Sequence, residues 1–170
     1  GLLLSSIREP DPVLFLEPKR IYRAIREEVP EGDYTIPLGK ARMVQEGKDV
    51  TIIAWGAMVR EALNAAEQLK GDKIEVEIID LRTISPMDVE TIVTSIRKTG
   101  RGVIVHEAPK TCGLGAEIIA LINEKALLSL QAPIERVTGF DIPFPLMKSE
   151  HYYLPNPERI VIAVKKVMAF

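Results

Sequence analysis

The sequence predicts an α/β fold: a three-layer domain in which a mostly parallel sheet carries helices on both faces. Three observations carry that reading. Strand-length apolar runs recur at Val50–Trp55, Ile74–Asp80, Gly102–Glu107 and Ile134–Val137. Segments with apolar residues at helical spacing separate them, and cap and breaker residues stand at their ends. Parallel strands need crossovers of about that length, and right-handed crossovers cover both faces of the sheet.

The elements follow in order. Ala41–Gln45 reads as an edge strand, turned back by Glu46-Gly47-Lys48-Asp49, and Val50–Trp55 as a buried strand. Over Met58–Leu69 the apolar positions Val59, Ala62, Leu63, Ala66 and Leu69 recur at the period of a helix. After the strand Ile74–Asp80, Ser85 is expected to cap a helix with Pro86 at its first position and Asp88 in reach of a capping box. That helix buries Val89, Ile92, Val93 and Ile96 and stops near Gly100. Gly102–Glu107 is the next core strand, and the loop Ala108–Gly115 enters a helix that runs to about Leu127. Ile134–Val137 is a short strand. Asn156 caps the last helix, Pro157 opens it, and Ile160, Ala163, Val164 and Val167 face inward.

Residues 1–39 read differently. Glu9-Pro10-Asp11-Pro12 is a turn, because each proline fixes its own φ and pushes its predecessor out of the helical region. Val13–Leu16 is a continuous apolar run, expected to be a strand buried on both faces, and Lys19–Glu28 is charged and loosely helical. Val29–Gly39 is extended and punctuated by Pro and Gly. One strand and one helix end make no core of their own, since a domain needs two packed layers. Residues 1–39 are therefore expected to be the tail of a preceding domain plus a linker, with the regular domain over 40–170. The apolar opening Gly1–Ile7, with no initiator Met, is expected to be an element entered partway, so that the chain is the C-terminal part of a larger subunit.

Composition narrows the function. Basic and acidic side chains, 22 and 24, are interspersed without a basic stripe, which argues against a nucleic-acid partner. No apolar run has the length of a membrane span, and nothing reads as a signal peptide. With one cysteine there is no internal disulfide, and the chain is expected in cytoplasm or an organelle matrix.

Several residues invite chemistry, each with a plainer alternative. Neither His106 nor His151 has a partner at zinc-ligand spacing. Cys112 precedes a helix, where a thiolate gains reactivity, but a small residue is also what a glycine-rich helix entry requires. Gly113-Leu114-Gly115 offers backbone donors to an anion, yet it lacks the rest of a phosphate loop, so close packing is the competing reading. His106-Glu107 ends a strand, where ligands and interfaces gather in open α/β sheets. His106 is read either as an acid–base group or as a structural histidine. For Asp80 and Arg82 an ion pair is expected, either within the chain or with another domain. The Pro-rich run Phe140–Met147 carries Phe140, Phe144, Leu146 and Met147, which pack under the final helix or meet another subunit.

The strings GLLLSSIREPDPVLFLEPKRIYR (1–23), DVTIIAWG (49–56), IDLRTISPMD (79–88), HEAP (106–109) and GLGAEI (113–118) together resemble one family. The chain resembles the C-terminal half of the beta subunit of thiamine-diphosphate-dependent 2-oxoacid dehydrogenases, of the pyruvate or branched-chain type. The resemblance implies a transketolase-like C-terminal domain preceded by the tail of a pyrimidine-binding domain. It implies an α2β2 heterotetramer with an alpha subunit and a second beta subunit, served by thiamine diphosphate and Mg2+, and docked on a dihydrolipoyl acyltransferase core. The family's activating glutamate and substrate-side histidine lie upstream of the matched strings, so no catalytic or cofactor residue is carried over. A structural potassium ion is implied at the loop after the first helix, at Ser6, Ile7, Glu9 and Asp11; a simple turn is the alternative. Other transketolase-like enzymes, or a purely non-catalytic assembly module, remain the competing readings.

Overall fold

A computed structural model describes residues 1–170. The chain runs α1 (Leu2–Arg8), β1 (Arg42–Gln45), β2 (Val50–Ala54), α2 (Met58–Leu69), β3 (Val76–Asp80), α3 (Val89–Thr99), β4 (Gly102–Pro109), α4 (Leu114–Ala126), β5 (Glu135–Gly139), α5 (Glu150–Tyr153) and α6 (Pro157–Met168). The five strands form one sheet in the order β1-β3-β2-β4-β5. All pairings are parallel except the edge pair β1–β3, which is antiparallel and shifts register between Met43 and Gln45. Such an irregularity twists an edge strand and weakens it as a template for unwanted pairing.

Alternation along the strands explains the two layers. In β2, Ile52 and Ala54 face the side covered by α2 and α6, whereas Ile53 faces α3 and α4. Strand β4 divides in the same way, Val103 and Val105 against Ile104. Full burial of an Ile or Val contributes about 1.5–3 kcal/mol. An exposed pair such as Lys48–Glu75 contributes about 0–1. The two apolar faces therefore hold the domain together.

Helix ends follow local chemistry. Asn156 Oδ1 accepts Arg159 N–H at 3.0 Å with Pro157 opening α6, and Gly100 closes α3 at φ 68°. At the start of α3 the expectation is corrected: the cap is Asp88, three residues beyond Ser85. Asp88 accepts the N–H of Thr91 at 3.2 Å, the Thr91 hydroxyl at 2.8 Å and the Ala41 N–H at 3.0 Å. A carboxylate that serves both the helix start and the chain entering β1 outcompetes a serine serving one of them.

The strand expected over Val13–Leu16 does not form. The run is extended but unpaired, with Leu14 84% and Leu16 73% exposed, because the sheet offers it no neighbouring strand. Only one 3-10 turn, Lys19–Ile21, forms within the loosely helical stretch. Helix α1 has no buried residue; it is tied to the linker by Ser5 Oγ donating to Ile36 O at 2.6 Å and by the Arg8–Asp33 ion pair at 2.9 Å.

Candidate functional site

The carboxyl ends of β3 and β4 carry several of the residues singled out above, Asp80 on the one and His106 with Glu107 on the other. Chain order reverses around β2, since β3 lies on one side of it and β4 on the other. That is the switch point at which open α/β sheets place ligands and contacts.

On the α3/α4 face, Trp55 at the end of β2 stacks on His106 of β4, with ring centroids 5.4 Å apart and planes 13° apart. His106 is buried, and its Nε2 accepts the Gly115 N–H at 3.3 Å. Burial first, and the Arg136 charge second, hold its imidazole below the ordinary histidine pKa. Within the chain no carboxylate or nucleophile hydrogen-bonds to His106, and its one bond, to the Gly115 N–H, is the contact a structural histidine makes. Gly113 and Gly115 are small for a packing reason: a Cβ on either would come within 2.6 Å of the His106 ring. Cys112 is exposed, at φ 57°, just before α4.

On the opposite face, Arg20 pairs with Glu61 at 2.7 Å, and Arg60 Nη1 donates to Ala24 O at 2.9 Å. These contacts lay the Lys19–Ala24 segment against the start of α2. Glu107 reaches solvent at the rim, but protein crowding its carboxyl raises its pKa, with Arg20 opposing and Glu61 reinforcing the shift.

At the end of β3 neither Asp80 nor Arg82 makes an ion pair within the chain. Arg82 takes φ 56°, and it is its backbone N–H that donates to Asp80 Oδ1 at 3.0 Å. Burial raises the Asp80 pKa, against the Arg82 N–H and the charges of Arg82 and Arg42.

The Phe140–Met147 segment forms a surface of its own. Phe140 and Phe144 meet Tyr153 edge-on at 6.2 and 5.0 Å, and the Arg159 guanidinium lies 4.7 Å over Phe140. Leu146 and Met147 are 89% and 83% exposed, so packing beneath α6 is not the arrangement adopted for them. Arg159 donates to the Tyr153 and Thr138 carbonyls and has no carboxylate partner. Sequence reading missed this cation, whose only signal was its place in the first turn of α6.

The residues expected at an ion all lie around one helix end. Ser6 and Ile7 are in the last turn of α1, Glu9 is its C-cap, and Asp11 follows. The Ser6 hydroxyl donates to Leu2 O at 2.9 Å. Glu9 N–H satisfies the Ser5 carbonyl, while no backbone N–H reaches the Ser6, Ile7 or Arg8 carbonyls, and Pro10 and Pro12 have none to give. The carbonyls of Ser6, Ile7 and Arg8 are thus left without a backbone donor, with Glu9 and Asp11 next along the chain. No group of three or more His, Cys, Asp or Glu is gathered to hold a metal ion.

Residues 39–160 match the family described as transketolase, C-terminal domain. The chain is 58% identical over its whole length to the 2-oxoisovalerate dehydrogenase subunit beta, mitochondrial, of Dictyostelium discoideum, covering 46% of that protein. It is 53% identical to the pyruvate dehydrogenase E1 component subunit beta of Acholeplasma laidlawii, over 98% of this chain and 51% of that one. Among solved structures, one described as a split gene transketolase, inactive beta4 tetramer, superposes with a TM-score of 0.71 at 30% identity, over 84% of this chain and 46% of that one. The chain spans about half the length of the curated relatives it matches. By the family match, the five-stranded sheet and the dehydrogenase beta subunits that match along its length, the chain belongs to the transketolase C-terminal domain family.

Proposed function

We propose that this chain is the C-terminal half of the beta subunit of a thiamine-diphosphate-dependent 2-oxoacid dehydrogenase. The assembly decarboxylates pyruvate or a branched-chain 2-oxoacid and passes the acyl group to a dihydrolipoyl acyltransferase. The observation that carries this is the alignment along all or nearly all of the chain, at 58% and 53% identity, with beta subunits of the branched-chain and pyruvate types. The transketolase reading rests on 30% identity and is the weaker one.

Within that assembly this half serves contact and support. Residues 1–39 are the tail of a pyrimidine-binding domain plus a linker, and residues 40–170 the transketolase-like domain. The exposed Val13–Leu16 run, with unused backbone donors and acceptors, adds to a sheet whose other strands come from the preceding part of the subunit. The Phe140–Met147 surface faces the alpha subunit or the second beta subunit; aromatics, Met and Arg are the side chains such interfaces favour. Ser6, Ile7, Glu9 and Asp11 hold a potassium ion that braces the end of α1, mainly through carbonyl oxygens. Thiamine diphosphate and Mg2+ bind in the α2β2 assembly, which works in cytoplasm or an organelle matrix.

Isothermal titration of the 170-residue chain with thiamine diphosphate and Mg2+ tests the division of labour. No binding and no 2-oxoacid turnover are expected. Micromolar binding by the chain alone would refute it.

A further inference from the structure

His106 occupies the last inward-facing position of β4 and is 1% exposed. The Gly115 N–H that meets its Nε2 at 3.3 Å can only donate, so Nε2 carries the lone pair and the proton sits on Nδ1. Nδ1 is buried without a hydrogen-bond partner. Retreat is blocked on two sides. Trp55 lies flat against the ring, and the glycines at 113 and 115 bring the start of α4 so close that a Cβ would clash with it. The ring therefore faces the positive end of a 13-residue helix, with the Arg136 side chain against the same glycine.

A second proton changes each of these contacts for the worse. It sets N–H against N–H at Gly115, places a cation at the positive helix end beside Arg136, and leaves a buried imidazolium with no acceptor. We infer that the His106–Gly115 contact is an acid-sensitive latch, which holds the first turn of α4 and the Lys110–Gly113 loop against the sheet while the imidazole is neutral and releases them on protonation. The charged groups on the surrounding elements are Arg136 on β5, Lys110 on the loop, Glu117 in the first turn of α4, Glu107 next along β4, and Asp141. Strand β2 contributes only uncharged Trp55. Asp141 accepts the N–H and hydroxyl of Thr111 at 3.0 and 2.7 Å, and those bonds keep its carboxyl ionised in mild acid. The loop thus stays tethered at Thr111, and the opening is confined to the turn that enters α4.

The sign follows from burial. Free histidine takes up its proton near pH 6.5. The closed state resists protonation, so the open state gains protons first and the latch loses stability as pH falls below that value.

Trp55 is the only tryptophan in the chain, and it touches the group in question. A fluorescence titration from neutral to mildly acid pH, with hydrogen exchange read at the Gly115 amide, tests the latch. We expect one transition with a midpoint below about 6.5, at which Gly115 loses protection while the α6 amides keep theirs. His106→Gln, whose side-chain oxygen still accepts from Gly115 but does not titrate, abolishes the transition. Arg136→Met moves the midpoint up, and His151→Gln leaves it in place. An unchanged transition in His106→Gln overturns the proposal, as does Gly115 protection that is constant through the acid range. Should His106→Gln not fold, an unmoved or lowered midpoint in Arg136→Met overturns it equally.

Discussion

At the scale of single residues, Asp88 joins two parts of the molecule. Burial pushes its carboxyl pKa up. The hydrogen bonds from Ala41 and Thr91 and the nearby Lys40 charge more than offset this, and the group ends below the usual carboxylate range. Its contribution to stability is therefore present above the unfolded value near 3.9 and disappears as pH falls through the lower folded value. Asp88→Ala is expected to lower unfolding free energy by about 1–2 kcal/mol. Urea denaturation at neutral pH measures this, and the gap between variant and parent should close in strong acid. The position of this cap was only half legible. Ser85-Pro86 and Asp88 both carry start signals, and the deciding factor, the Ala41 N–H arriving from 47 residues away, is absent from local sequence. The same holds for Trp55 and His106, which sit at the ends of two predicted strands but whose stacking depends on β2 and β4 being neighbours.

At the scale of elements, periodicity carried the reading well wherever an element buries an apolar face. Helix α2 begins and ends where the spacing placed it, and the four residues expected inward on α6 are the ones buried. Ile160→Ala, which empties a fully buried position between α6 and the sheet, should cost about 2–5 kcal/mol in thermal or urea unfolding.

Polar contacts inside the layers were not legible. Glu77 stands among apolar residues in β3 and is fully buried. It accepts from Ser95 and from Lys98 on α3, while Thr51 of β2 bonds Ser95 and Thr99 at 2.7 and 2.8 Å. A charge within an apolar strand was the available signal, and its partners arrive only when α3 crosses the sheet. Lys98→Met leaves that carboxylate without its cation. Because the lysine is 42% exposed, solvent screening reduces the cost from the buried-pair range to about 1–3 kcal/mol. A double-mutant cycle with Glu77→Gln should recover part of that loss.

At the scale of the whole molecule, residues 40–170 bury a continuous core on both faces of the sheet, whereas residues 1–39 bury almost nothing. Val13–Leu16 stays unpaired within these 170 residues, since an apolar run reports a need for burial without naming what supplies it. The Phe140–Met147 surface poses the same question at the other end of the chain. Replacing Phe144 and Leu146 by Asp should leave the unfolding midpoint within about 0.5 kcal/mol of the parent. It should also abolish either self-association or association with an alpha subunit in sedimentation velocity; if both persist, the contact lies elsewhere.

The most direct measurement grafts this chain onto the upstream half of the Acholeplasma laidlawii pyruvate dehydrogenase E1 beta subunit, in place of the segment it aligns with, and pairs the chimera with that protein's alpha subunit. If this half provides assembly and support while the upstream half provides the chemistry, a heterotetramer forms that decarboxylates pyruvate, with the host's substrate preference intact. A folded, assembled chimera with no turnover, or one whose preference switches to branched-chain 2-oxoacids, would contradict that division.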